Sequence, residues 1–129
     1  MNKIELESAV LSFLKAWEQK NIDAVVNLLS NSFEYYETPI DKPLTSPDQI
    51  RNLWSPVPKL KAHISLSFTT LNAEDDFGLF RIQGAYTYGN DSTKKATKID
   101  RIFLIAIDTE GKITKFMQWR ESKEILMYE

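Results

Sequence analysis

The apolar pattern of this chain changes its period part-way along, and that change limits the fold more than any single motif. Through Trp54 the apolar residues mostly recur in steps of three and four; from Ala62 onward they alternate. Steps of three and four make one face of a helix, and steps of two make one face of a strand. Helices followed by a run of strands predict an α+β domain, with the helices gathered on one side of an antiparallel sheet.

The elements can be placed from local chemistry. Leu6, Ala9, Val10, Phe13, Leu14 and Trp17 form one apolar stripe, with Glu5, Glu7, Lys15, Glu18 and Lys20 covering the other side. Asn21 can cap a second helix whose stripe is Ile22, Val25, Val26 and Leu29. The corner at Lys20–Asn21 is too short for a linker, so the two helices must fold against each other. The aromatic run "FEYYETPI" predicts a strand. In "TSPDQIRNLW", Ser46 caps a third helix, Pro47 suits its first position and Gln49 completes a capping box. Pro56 and Pro58 stop it. The segments "HISLSFTTL", "FGLFRIQGAYTYG", "TKIDRIFLIAID" and "KITKFMQWRE" predict four strands, joined by the turns "NAEDD", "NDSTKK" and "TEG". Short turns between long strands predict antiparallel hairpins.

One strand is apolar on both sides. Phe103, Ile105 and Ile107 share one face, and Ile102, Leu104 and Ala106 share the other. Such a strand is covered on both faces. Three helices cover only one side, so a second copy of the chain is expected on the outer face, where Met117 and Trp119 also point. A strongly coiled sheet that covers itself is the alternative.

Composition excludes several classes. With 129 residues the chain is a single domain, spanning residues 1–129, and 43% apolar and 26% charged content is globular. No apolar run is long enough to span a membrane, and "MNKIELESAV" has no signal-peptide core. The lack of cysteine fits a cytoplasmic setting. A net charge of −2 leaves no basic footprint for nucleic acid. One histidine, His63, and no cysteine argue against zinc. The four glycines fit no dinucleotide or phosphate-binding loop, so no cofactor is expected.

The segments "FLKAWEQKNIDAVVNLLSNSFEYYETP" and "FLIAIDTEGKITKFMQWRE" resemble the nuclear transport factor 2-like superfamily, in its SnoaL-like (polyketide cyclase-like) and ketosteroid isomerase-related branches. The resemblance covers almost the whole chain. It implies a cone, with a curved sheet wrapped around the helices, a pocket for a small apolar molecule at its open end, and dimers through the outer sheet face. A ketosteroid isomerase site needs a carboxylate base, a tyrosine donor and a protonated aspartate donor. The alignment places Glu37 or Thr38 at the base, Phe13 at the tyrosine and Phe103 at the aspartate. Steroid isomerisation by that mechanism is therefore not expected. Three roles stay open: cofactor-free acid–base chemistry such as isomerisation, cyclisation or dehydration, non-catalytic binding of a small apolar or acidic metabolite, and a dimeric interaction module.

If Phe33 faces inward, alternation brings Tyr35 and Glu37 with it. Glu37 is the candidate catalytic base; it could equally sit at a wet rim or pair with an arginine. The resemblance turns Phe116, Gln118 and Arg120 toward the cavity and makes Trp17, Tyr35 and Trp54 candidate walls. Parity adds Arg81 and Arg101 as inward candidates. An arginine among apolar neighbours needs an anion: Glu37, Asp100 or an acidic ligand. A bulge near Lys115 would reverse the last strand's assignments.

Overall fold

The computed structural model describes residues 2–60, 62–87 and 95–126. Helix α1, Asn2–Glu18, ends at Lys20, whose φ of 58° is left-handed. There the Asn21 N–H donates to the Ala16 carbonyl at 2.8 Å and the Lys20 N–H to Trp17 at 2.9 Å, the paired bonds of a Schellman stop. Lys20 Nζ also donates to the Leu60 carbonyl at 2.6 Å. Asn21 then caps α2, Ile22–Asn27, by accepting from the Ala24 N–H, so two caps back to back make the tight corner. Strand β1, Leu29–Tyr36, follows. Helix α3, Pro47–Trp54, has the expected capping box between Ser46 and Gln49. A 3₁₀ turn, Val57–Lys59, leads to strands β2 (His63–Ala73), β3 (Phe77–Thr87), β4 (Lys95–Ile107) and β5 (Ile113–Leu126). Most of the turn expected at "NDSTKK" lies outside the described residues.

The five strands form one curved, unclosed sheet in the order β1-β5-β4-β3-β2. The meander from β2 to β5 is antiparallel, as its short turns require. β1 is added in parallel beside β5, with Tyr35 opposite Phe116. A parallel pair needs a long connection, and the whole chain between β1 and β5 supplies it.

Cross-strand partners share a face, and this sorts the side chains. Phe80 pairs with Phe103 and Ile82 with Arg101, all facing the helices. Arg81 pairs with Ile102 and faces out, which corrects the inward assignment by parity. It forms an exposed ion pair with Asp100, donating from Nε at 3.0 Å and Nη2 at 2.6 Å. That bond pulls the Asp100 carboxyl below its ordinary value. Arg81 and Arg101 cannot both point inward, because the residues opposite them differ by one. A bulge lies where one was anticipated. Ala106 pairs with Lys115 but Ile107 with Ile113, so Thr114 is the extra residue. Ile113 and Phe116 are consequently both buried although three apart, and Gln118 keeps the inward phase.

On the outer face Ile102, Leu104 and Met117 are half-buried and Trp119 is 42% exposed. On the inner face Gly84 is required by close approach: a Cβ there would stand 2.1 Å from the Ser65 carbonyl oxygen. Gly84→Ala must push β2 from β3 and should cost about 1–3 kcal/mol, the usual range for overpacking. Urea denaturation checks this; an unchanged midpoint would refute it.

Candidate functional site

The open side of the curved sheet leaves a cavity of about 160 Å³ between its inner face, α1 and the α3 region. Its apolar floor is Phe13 and Phe103, with Trp17, Leu53, Trp54 and Val57 as walls. Phe13 meets Trp54 and Phe103 edge-on, at 5.6 and 5.5 Å between centroids, and stacks on Phe116 at 4.9 Å. Tyr35 also stacks on Phe116, at 4.5 Å between centroids. Edge-on contacts suit the ring quadrupoles, and Phe13, Tyr35, Trp54 and Phe103 of this cluster also border the cavity.

The polar residues arrive from three adjacent strands. Alternation from buried Phe33 carries Tyr35 inward and Glu37 to the pocket just past the end of β1. β5 contributes Gln118 and Arg120, and β4 contributes Arg101 opposite Arg120. Glu37 pairs with Arg120 near the mouth, where their side chains are 23% and 42% exposed. Gln118, fully buried, is the link. Its Oε1 accepts from Arg101 Nη1 at 3.1 Å, and its Nε2 donates to Glu37 at 3.2 Å. A guanidinium can only donate and a carboxylate only accept, so an amide between them has one possible orientation. Glu37 thus has two donors on it. A carboxylate has about four acceptor sites, which leaves capacity for a ligand's proton.

The Arg101 guanidinium carbon lies over Trp17, 4.6 Å from the ring centroid, within the range of a cation–π contact. Burial pulls its pKa down, while nearby Tyr86 raises it. The side chain nevertheless remains a cation, as arginine does in proteins. Among the described residues no carboxylate lies within ion-pair distance of it, and its buried Nε has no hydrogen-bond partner.

Tyr35 is the other buried polar group. Its hydroxyl accepts from Trp54 Nε1 at 3.3 Å. Burial pushes the phenol well above its ordinary value of 10.0, with the Trp54 bond opposing, so it stays a neutral donor.

Of the residues singled out from sequence, Glu37, Trp17, Tyr35, Trp54, Arg101, Phe103, Gln118 and Arg120 all border this cavity, and Arg81 does not. His63 is exposed at the start of β2. The lining residues that sequence reasoning did not assign to the pocket are Leu53, Val57 and Tyr86, while Phe13 was placed there only through the isomerase alignment. Leu53 and Phe13 were legible as helix-stripe residues. Val57 and Tyr86 carried no periodic signal that set them apart. Among the described residues no group of three or more His, Cys, Asp or Glu is placed to hold a metal.

Residues 10–116 match the model of the SnoaL-like domain family. The chain belongs to the SnoaL-like family, within the nuclear transport factor 2-like superfamily. Solved structures share the fold at low identity. An epoxide hydrolase/cyclase-like enzyme, SalBIII, implicated in pyran ring formation in the polyether salinomycin, has a TM-score of 0.72 at 12% identity, covering 93% of each chain. A Δ5-3-ketosteroid isomerase from Mycobacterium sp. gives 0.71 at 8%, covering 92% of this chain and 98% of its own. A computationally designed 17-OHP binder gives 0.73 at 9%, covering 95% and 98%. No match to a curated protein was found.

The raised Tyr35 value has a consequence for stability. The unfolded tyrosine ionises near 10.0 while the folded one does not, so the folded state holds the extra proton and stability falls as pH rises past 10. Tyr35→Phe should remove this loss, up to about 1.4 kcal/mol per pH unit. It should also cost about 1–3 kcal/mol at pH 7 by leaving the Trp54 N–H without its acceptor. Urea melts of both proteins at pH 7 and pH 11 test the two signs together; parallel pH slopes would count against the first.

Proposed function

We propose that this SnoaL-like domain is a small-molecule pocket protein in which Glu37 acts as general acid–base toward a small apolar or acidic metabolite. The chemistry would need no cofactor and would be of the isomerase, cyclase or dehydratase kind. The observation that carries this reading is the convergence of Glu37, Gln118, Arg101 and Arg120 on one largely aromatic cavity. A few convergent polar groups in an otherwise apolar hollow is the usual form of a ligand site. Phe13 and Phe103 line the floor, so oxygen charge developing there would meet no donor from those positions. Tyr35 and Arg101 are the donors left for that task.

Non-catalytic binding is the second reading. It is favoured by the Arg120 ion pair on Glu37, which gives the carboxylate a countercharge without a substrate. Similarity to a designed 17-OHP binder fits either reading, since the fold serves a binder as well as an enzyme.

A panel of small apolar and acidic compounds should contain members that raise the melting temperature. At a hundredfold excess over Kd the stabilisation is about 2.7 kcal/mol. Val57→Trp, which fills the cavity, should abolish the response while the protein stays folded. No response from any compound would leave only an interaction role. Among compounds that bind, turnover by wild type and binding without turnover by Glu37→Gln would mark acid–base chemistry.

We also propose that two copies associate through the outer sheet face, because Trp119 stands exposed beside Ile102 and Met117. Trp119→Glu should halve the mass measured by light scattering, and a mass equal to that of wild type would end the proposal.

A further inference from the structure

The sheet carries three arginines, and among the described residues the carboxylates are distributed unevenly between them. Arg81 has Asp100 on the outer face. Arg120 has Glu37 at the mouth. Arg101, the most enclosed of the three, has a neutral amide on Nη1, the Trp17 ring and nearby Tyr86, with no carboxylate within ion-pair distance among the described residues. The arginine that lost most water therefore received no countercharge among the described residues.

We propose that the ligand of this pocket is a small monocarboxylate whose carboxylate seats on Arg101, with its apolar part against Phe13 and Phe103. This rests on the small-molecule reading above and narrows it to one chemical class. Three features specify the class. First, among the described lining residues the guanidiniums of Arg101 and Arg120 face one carboxylate, Glu37, which leaves one positive charge in excess for one ligand charge to balance. Second, Arg101 Nη1 is committed to Gln118 while Nε is unbonded. A small swing of the head would offer Nε to the ligand and gain the bond that the resting side chain lacks. The planar guanidinium fork matches a carboxylate. Third, a dry cavity of roughly 150 Å³ takes up benzene, so about 160 Å³ holds one ring or a chain of similar bulk. Gln118 completes the arrangement. It holds Arg101 in place without neutralising it, which a carboxylate at that position would do.

The test compares acids with their own neutral amides: benzoate with benzamide, and cyclohexanecarboxylate with cyclohexanecarboxamide. Toluene serves as a purely apolar probe. Binding is read by calorimetry at pH 7.5 and by fluorescence of the wall tryptophans. At least one acid should bind about tenfold or more tightly than its amide, as expected for hydrogen bonds to a charged group in a desolvated site. Arg101→Met should erase that preference, while Arg81→Met on the outer face should leave it intact. Amides binding as tightly as acids would overturn the carboxylate assignment and leave the pocket standing. If neither the acids, the amides nor toluene bind, the pocket reading falls and this inference with it. The comparison on wild type decides the matter even where Arg101→Met does not fold.

Discussion

The stacking of Phe13 between α1 and the sheet is the contact on which the architecture depends. One ring touches Trp54 on α3, Phe103 on β4 and Phe116 on β5. Phe116 in turn stacks under Tyr35 on β1. A single aromatic cluster thus ties α1, α3 and three strands, setting how far the sheet can bend toward the helices. Phe13, Trp54 and Phe103 also line the cavity, so rings that join the elements border the space beside them.

The polar groups follow from this frame. Once the cluster fixes the inward phase of β1, β4 and β5, the next inward positions toward the mouth are Glu37, Arg101 and the Gln118–Arg120 pair. They meet because they are neighbours in a sheet, although β1 and β5 are far apart in sequence. Gln118 is the least conspicuous of them and the most constrained. Buried between a cation and an anion, it can satisfy both only with its amide turned one way. A leucine there would strand Arg101, and a glutamate would neutralise it.

Much of the fold was legible. The caps at Asn21 and Ser46 are local chemistry, and the structure uses both as the sequence implies. The alternation from Phe33 through Glu37 needed only one buried aromatic to fix its phase. Arg81 shows where such reasoning stops. In "FGLFRIQGAY" both phases are apolar, with Phe77 and Leu79 on one and Phe80 and Ile82 on the other. Local pattern cannot choose between them; pairing with β4 does. The parallel addition of β1 beside β5 was equally invisible, because no short turn announces it. The bulge at Thr114 could be anticipated as a hazard, but its effect on Gln118 depended on which side of it the phase was counted from.

Arg101 is hard to explain by folding alone. A half-buried guanidinium loses much of its hydration, and among the described residues this one regains an amide bond, the Trp17 ring and the nearby Tyr86 while its buried Nε goes without a hydrogen bond. A hydrophobic side chain of similar length in a dry interior is often neutral or stabilising in place of a buried ion. Arg81 and Arg120 raise no such question, since each lies partly in water against a carboxylate. Groups held at a cost to stability concentrate where a protein binds or reacts, because the missing interaction is supplied by something outside the chain. Arg101 lines the cavity, with Trp17 beside the guanidinium and Gln118 on Nη1, so a small molecule in the cavity could supply that interaction. An enclosed positive charge at the edge of an aromatic hollow therefore turns a general statement about pockets of this family into a statement about charge.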